Sequence, residues 1–212
     1  MPGVTPRKNP KRELDKFRSY VESQSEKVTV NVFLCGSALD SSKTVEEQAA
    51  TDVRAHLYVN LVRDIAGCNV FFGEHTELMK QYIKAITSGG KPGTTRKNLN
   101  LALFELQLAA YVDLIVIFPS SPGSFAELGM FTVNADIGRK MLLIQKPEHK
   151  GRISFINRGP VALAQERSSK VLYLDYAQKD RIYEAVHQRI MSIHQLRMSD
   201  QLFGAHLNGL TS

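Results

Sequence analysis

The fold of this chain is decided by residues 113–129, DLIVIFPSSPGSFAELG. Asp113 is followed by five apolar residues, 114–118, and an apolar run of this length predicts a buried parallel strand. Residues 119–123 are proline, serine and glycine, which favour a tight turn. A helix is predicted to begin at Ser124. Strand, turn and helix in this order are typical of an open α/β sheet.

Glu127, in this predicted helix, has two interpretations. Ser124-Phe-Ala-Glu127 fits the capping box S-x-x-E, in which the glutamate accepts a hydrogen bond from the backbone at the helix start. Alternatively, Glu127 faces the crevice at the carboxyl ends of the strands, where ligands bind in open α/β sheets. In that case Ser121, Gly123 and Ser124 are candidate substrate-binding residues, because helix starts offer backbone donors.

Two other predicted strands end in residues that suit a ligand. The strand at 28–35 ends in Gly36 and Ser37, which give a ligand close access to the backbone and a hydroxyl. The strand at 69–72 is followed by Gly73, Glu74 and His75. Gly36, Ser37, Glu74 and His75 are therefore candidate binding residues.

These strand ends are expected to converge. The carboxyl ends of neighbouring parallel strands lie at one edge of the sheet, which is where open α/β sheets bind their ligands. We therefore expect Ser37, His75 and Glu127 to lie in one pocket.

The rest of the chain completes an alternating pattern of strands and helices. It predicts a doubly wound α/β domain, flavodoxin-like or Rossmann-like, with about five parallel strands and helices on both faces. The expected domain is 28–198, between a basic, partly disordered arm (1–27) and a C-terminal tail (199–212). The other predicted elements are helices at 45–66, 76–86, 98–111 and 178–198, a loop at 88–95, and strands at 140–144 and 170–175.

The helix predicted at 98–111 is unusually apolar, with five leucines and one phenylalanine. A helix of this kind is either buried on most of its surface or part of a subunit interface. We therefore expect a homo-oligomer.

Composition excludes several classes of protein. Of 212 residues 43% are hydrophobic, enough for a sizeable core, and no apolar run is long enough to span a membrane. The two cysteines lie in apolar strands and do not have metal-ligand spacing. The sequence thus predicts a soluble cytoplasmic protein with no metal, no cofactor and no membrane contact.

Positive charge is concentrated at the N-terminus. Residues 1–18 hold six basic and two acidic side chains, a net +4 of the chain's +6. This segment is either a solvated tail leading into a short helix or an arm that contacts nucleic acid or an acidic partner.

Three segments together carry a resemblance to a known family: FLCGS, VFFGEH and DLIVIFPSSPGSFAELGMF…GRKMLLI. They resemble the nucleoside 2-deoxyribosyltransferases and their N-glycoside hydrolase relatives. A narrower likeness is to the transferase-like toxins encoded beside bacterial retron reverse transcriptases in phage defence. The resemblance covers about residues 28–175.

The resemblance implies roles for particular residues. Glu127 would be the catalytic glutamate of the E-L-G helix, attacking C1′ of a ribose. Asp113, which matches the family's strand-start aspartate, would be a second catalytic residue or would have a structural or helix-capping role. Glu74 or His75 would contact the leaving base. The substrate would be a nucleotide, a nucleoside or NAD, and the arm could contact a reverse transcriptase and its RNA–DNA product.

Two other functions remain open from the sequence. Residues 122–127 also resemble the PGGxGTxxE signature of lysine-decarboxylase-like phosphoribohydrolases, some of whose relatives bind nucleotide signals without chemistry. The basic arm alone would also suit a non-catalytic partner in a nucleic-acid complex.

Overall fold

The sheet of this protein is parallel throughout. The structure, a computed structural model, describes residues 10–25, 27–74, 80 and 101–208. Five strands lie in the order β2-β1-β3-β4-β5, and every neighbouring pair is parallel. This confirms the predicted doubly wound α/β fold. The strands are β1 (Val30–Cys35), β2 (Cys68–Phe72), β3 (Leu114–Ile117), β4 (Met141–Gln145) and β5 (Lys170–Tyr173).

The strand order reverses between β1 and β3. From β1 the chain moves outward to β2, then returns to the other side of β1 and continues through β3, β4 and β5. In an open α/β sheet the loops at such a reversal diverge and leave a crevice at the carboxyl ends of the two strands. The crevice is therefore expected where residues 36–37 meet residues 119–121.

Helices cover both faces of the sheet. The described helices are α1 (Pro10–Ser25), α2 (Val45–Gln48), α3 (Val53–Asp64), α4 (Leu101–Tyr111), α5 (Pro122–Val133), α6 (Ala135–Gly138), α7 (Ala162–Glu166) and α8 (Lys179–Asn208). A 3₁₀ turn (Pro147–His149) and a π-helical turn (Asn157–Val161) lie between β4 and α7.

Side chains alternate along the buried strands and so feed two cores. Val32 and Leu34 of β1 pack with α3 and α8 on one face, whereas Phe33 and Cys35 pack with α4 and α5 on the other. Because both faces are covered, most residues of the strands are apolar, although β1 holds Asn31 and β4 ends at Gln145.

The helix predicted at 45–66 is two helices. Asp52 caps α3, its Oδ1 accepting from the backbone N–H groups of Arg54 (2.7 Å) and Ala55 (2.9 Å). Thr44 forms a separate capping box with Glu47 at the start of α2. An aspartate at such a position satisfies the free N–H groups of a new helix, so the chain turns at 49–52.

Helices lie near both ends of the described chain. Within the expected arm, α1 is a 16-residue helix, and α8 continues to Asn208, ten residues beyond the end predicted at Met198. The helix predicted at 76–86, except Lys80, and the loop predicted at 88–95 lie outside the described residues. In the described part of the chain, no helix is long and apolar enough to cross a membrane.

Candidate active site

The helix that carries Glu127 begins earlier than its sequence indicated. Ser121 is the N-cap of α5, its hydroxyl accepts from Ser124 N (3.2 Å), and Pro122 occupies the first turn. Ser124 is fully buried, and its Oγ accepts from the backbone N–H groups of Ser120 and Ser121, 2.9 Å each. The cap is thus formed by two serines. The capping-box interpretation of Glu127 is therefore wrong.

Glu127 takes no part in the cap of its helix. Its Oε2 is buried and has no hydrogen-bond partner among the described residues. Burial raises the pKa of Glu127 to about 7, helped by the charge of Glu105 and opposed by that of Arg54. A carboxyl group with a buried, unpartnered oxygen among the described residues and a pKa near neutrality is typical of a functional site.

Two more ionisable groups, the carboxyl of Glu105 and the thiol of Cys35, lie near Glu127. Glu105 on α4 also has a raised pKa, because it is partly desolvated and near the charge of Glu74. Cys35, at the end of β1, is buried and free; burial, followed by the charge of Glu127, raises the pKa of its thiol. Glu127 and Glu105 therefore share a low-dielectric region in which a proton is held more tightly than in water.

Gly73 leaves the space that Glu105 uses. A Cβ added at Gly73 would lie 3.1 Å from Glu105 Oε1, closer than ordinary van der Waals contact. The glycine after β2, predicted only as a strand end, thus lets the carboxyl group of α4 approach the strand ends.

Arg54 is the functional residue that sequence reasoning missed. Only 2% of it is exposed, although charged side chains along a helix are ordinarily solvated. Its guanidinium donates to the carbonyls of Leu34 (3.3 Å) and Ser37, and to Glu74 Oε1 (2.7 Å). The signal was its spacing, since residues 54, 57, 58 and 61 follow the i, i+3, i+4, i+7 pattern of one helix face.

Gly36 is required by this arginine. A Cβ at Gly36 would lie 2.8 Å from Arg54 Cδ and 3.1 Å from its Nε. The Nε has no hydrogen-bond partner in the described part of the chain. Gly36 was predicted to admit a ligand to the backbone, and the structure shows that it admits the side chain of Arg54.

Glu74 is committed to Arg54. Besides that ion pair, its Oε1 accepts from Leu39 N (3.2 Å). Burial raises the pKa of Glu74, but the hydrogen bond and charge of Arg54 outweigh it, so the pKa lies below its ordinary value. Glu74 is thus an ionised anchor for Arg54 at this edge of the sheet. His75 lies outside the described residues.

Ser37 and Ser120 join the two strands at the topological reversal. Their hydroxyl oxygens are 2.9 Å apart, linking the end of β1 to the end of β3. Ser120 was not among the predicted binding residues, although its position in the turn after β3 is where ligand-binding residues are expected. Gly123 is exposed beside them, and a Cβ added there would have a single neighbour, Ser121 Oγ at 3.9 Å.

A cavity of about 580 Å³ opens beside this serine pair. It lies at the carboxyl ends of β1, β3, β4 and β5, against the first turns of α3 and α8. The lining includes Ser37, Arg54, Ser120, Lys146, Tyr176 and Lys179.

The prediction of one pocket holding both Ser37 and Glu127 needs correction. Both residues lie at the same edge of the sheet, but Glu127 does not line the cavity. The reason is topological: α5 packs on one face of the sheet, whereas α3 and α8, which wall the cavity, pack on the other. Arg54 connects the two, because it lines the cavity and its charge acts on Glu127.

Asp113 lies at the opposite end of the sheet. Its Oδ2 accepts from Asn31 N (2.8 Å), and its Oδ1 pairs with Arg197 of α8. The four residues of β3 separate it from the crevice, about 13 Å at 3.3 Å per residue. Its contacts fasten β1 and α8 to the amino end of β3, so the catalytic role predicted for Asp113 is not supported by its position.

No metal site is built from the described residues, which contain no cluster of three or more histidine, cysteine, aspartate or glutamate side chains able to hold an ion.

Comparison with known proteins identifies relatives of this chain. A family model described as STM3845 retron effector protein matches residues 50–208. Two curated proteins of Escherichia coli are also similar. One, named "Retron Ec86 putative ribosyltransferase/DNA-binding protein", is 36% identical over 110 residues, covering 45% of this chain and 36% of the relative.

The second curated relative has the corresponding name for retron Ec73, "Retron Ec73 putative ribosyltransferase/DNA-binding protein". It is 26% identical over 173 residues, covering 78% of this chain and 49% of the relative. The chain therefore spans between about a third and a half of the length of these two proteins.

Proposed function

Because the chain belongs to the STM3845 retron effector family, we propose that it is a toxin effector of a bacterial anti-phage retron that cleaves a base–sugar bond. The substrate is a nucleotide, a nucleoside or NAD. The names of the two curated relatives, which both include ribosyltransferase, support this class of reaction.

One observation carries the proposal: the state of Glu127. Its Oε2 is buried and unpartnered in the described structure, its pKa is about 7, and it lies beside the reversal of strand order. Burying an unpaired carboxyl group costs stability, and no described residue bonds to its Oε2. A carboxylate nucleophile must be ionised to react, and a pKa close to the working pH makes its ionised form readily available.

The proposed reaction proceeds in two steps. An oxygen of ionised Glu127 bonds to C1′ as the N-glycosidic bond breaks, and the electron pair of that bond leaves with the base. The departing base takes a proton from water. Water, or a second base, then attacks C1′ and releases Glu127.

The other groups position the site. The Arg54–Glu74 pair fixes the end of β1 by holding the carbonyls of Leu34 and Ser37. The charge of Arg54 also keeps the pKa of Glu127 from rising further. We assign the hydroxyls of Ser37 and Ser120 to oxygens of the substrate, because they lie together at the reversal of strand order.

The test compares matched variants on a panel of substrates. Purified protein is incubated with nucleosides, nucleotides and NAD, and released base is measured by chromatography. Glu127→Gln should abolish release while leaving the fold intact. Glu184→Gln, the same change at an exposed position of α8, should release base at the wild-type rate. Unchanged release by Glu127→Gln would refute the assignment.

A second function, nucleotide binding without chemistry, is favoured by one observation. The cavity is large enough for a nucleotide, yet Glu127 is not part of its lining. Base release from any nucleotide in the panel excludes this alternative. Binding without release, by wild type and Glu127→Gln alike, would establish it.

The basic arm and oligomerisation complete the proposal. Both curated relatives carry DNA-binding in their names, and we assign the corresponding contact here to the basic arm and α1. The partner would be a reverse transcriptase with its RNA–DNA product. A homo-oligomer is supported by the exposed apolar side chains of α4, where Leu101 is 48% and Tyr111 66% exposed.

A further inference from the structure

The cavity beside Ser37 and Ser120 has a chemistry of its own. Its described lining holds three cationic side chains, Arg54, Lys146 and Lys179, against one carboxylate, Asp52. Asp52 is occupied as the N-cap of α3, and Arg54 is paired with Glu74. An excess of positive charge therefore remains at the two lysines.

The two lysines lack acidic partners among the described residues. Lys179 Nζ donates to the backbone carbonyls of Ala49 (3.1 Å) and Ala50. Lys146 Nζ lies 5.6 Å from the centre of the Tyr176 ring. A lysine held by carbonyls or by a ring keeps its charge available to an anion.

Three further features suit an anion at this place. Arg54, 2% exposed, lines the cavity and has an Nε without a described partner. The 30-residue helix α8 begins at Lys179, so its positive end adds to the field. The hydroxyls of Ser37 and Ser120 supply hydrogen-bond donors on the wall that faces the strand reversal.

The remaining wall is aromatic. The rings of Phe118 and Tyr176 meet edge to face with centroids 5.3 Å apart, and the hydroxyl of Tyr176 donates to Ile144 O (3.0 Å). The cavity thus combines an apolar wall with two lysines and two serines in about 580 Å³, within the range of about 300–1,000 Å³ typical of small-molecule sites.

We propose that this cavity is a phosphate-binding subsite formed by Lys146, Lys179, Ser37 and Ser120. It follows that the substrate is a nucleotide or dinucleotide carrying a 5′-phosphate or pyrophosphate, and not a free nucleoside. This inference rests on the proposed function, since it adds the phosphate group to the base–sugar bond cleaved near Glu127. Arg54 links the two parts of the site because it lines the cavity and acts electrostatically on Glu127.

Binding to a catalytically silent protein tests the subsite independently of the reaction. Glu127→Gln protein is titrated by calorimetry with four matched pairs, each a nucleoside and its 5′-monophosphate, and separately with NAD and nicotinamide riboside. At least one phosphorylated member should bind at least tenfold more tightly than its unphosphorylated partner. A preference for NAD over every monophosphate identifies a pyrophosphate as the bound group.

A second substitution locates the phosphate. Lys146 is exposed, so Lys146→Gln should not disturb folding, and it should remove most of that preference while leaving nucleoside affinity unchanged. Lys150→Gln is the matched control, because Lys150 is a nearby exposed lysine outside the cavity lining. It should keep the full preference.

Three results would overturn the subsite: equal affinity within every pair, no binding of any phosphorylated ligand at millimolar concentration, or equal losses from Lys146→Gln and Lys150→Gln. These results are distinct from failure of the proposed function. That failure would appear as base release by the Glu127→Gln variant or as no release by the wild type, whatever the binding data give.

Discussion

Arg54 and Glu74 form an ion pair, Nη2 to Oε1 2.7 Å, directly beneath Gly36. The arginine is buried whereas the glutamate is partly exposed, so the pair connects the interior of the sheet edge to the crevice. Three neighbouring features depend on it: the position of the Ser37 carbonyl, the field at Glu127 and one wall of the cavity.

Enlarging Gly36 should break this arrangement. In Gly36→Ala the new Cβ would lie 2.8 Å from Arg54 Cδ, so the buried side chain must move and its hydrogen bonds are strained. We expect a loss of about 1–3 kcal/mol in unfolding free energy, measured by urea denaturation. Gly129→Ala in α5 is the control: its Cβ meets nothing within 4 Å, so it should stabilise by about 0.5–1 kcal/mol. Equal stability of the two variants would contradict this account of Gly36.

The pH dependence of stability should report Glu127. Its carboxyl has a pKa of about 7 when folded and 4.5 when free, so the folded state binds its proton more tightly. The stability this contributes is full below pH 4.5 and is lost as the pH rises through 7.

Glu127→Gln cannot ionise and should escape that loss. Between pH 5 and pH 8 the wild type should lose up to about 3 kcal/mol more than the variant in denaturant unfolding. Glu184→Gln, at an exposed site, should follow the wild type. Parallel curves for wild type and Glu127→Gln would mean that the carboxyl is not desolvated.

Base release should rise with pH. If ionised Glu127 attacks C1′, kcat/KM should increase through a midpoint near pH 7, where half of the carboxyl groups are ionised. Glu105→Gln should move this midpoint to lower pH, because the charge of Glu105 raises the pKa of Glu127. Steady-state rates from pH 5 to 9 provide the measurement. If Glu105→Gln leaves the midpoint unchanged, the charge of Glu105 does not affect the pKa of Glu127.

Neutralising the arm should weaken binding to nucleic acid. Replacing Arg7, Lys8, Lys11 and Arg12 by glutamine should reduce affinity for an RNA–DNA duplex and lower the slope of log K against log salt, by about one for each phosphate that these side chains neutralise. Fluorescence anisotropy at several salt concentrations measures both. The control replaces four exposed basic residues of the domain, Lys150, Arg152, Lys170 and Arg181. If both variants weaken binding equally, the arm has no particular role.

Oligomerisation through α4 should respond to charge on its exposed face. Leu101→Lys combined with Tyr111→Lys should convert an oligomer to a monomer in light scattering at micromolar concentration, since buried unpaired lysines oppose association. Leu196→Lys, at a 67% exposed apolar position of α8, should leave the assembly unchanged. A monomeric wild type would end the proposal.

The fold could be predicted because a parallel sheet has a strong sequence signal. Strands buried on both faces need mostly apolar side chains, so β1, β3 and β4 stand out as nearly continuous apolar runs. The break between α2 and α3 was missed because the four-residue spacing of Val53, Leu57 and Leu61 continues back to Val45. That spacing predicts one unbroken helix. Asp52 alone marked the new helix.

The site was harder to predict because its central contacts are between distant residues. Both Ser121 and Ser124 suit an N-cap, and the deciding signal was Pro122, which favours the first turn and so places the cap at Ser121. Nothing local shows that Arg54 reaches under Gly36, or that Lys146 and Lys179 meet around one cavity. Those relationships depend on packing across the sheet.

The position of β1 sets the minimum length of a fragment that can fold. The recognisable family segment starts at residue 50, yet β1 precedes it and hydrogen-bonds to β2 on one side and β3 on the other. A protein truncated to 50–208 would lose this interior strand and leave two newly unpaired strand edges, on β2 and β3, which favour aggregation. A recombinant fragment for biochemical experiments must therefore begin before Val30, so that it contains β1.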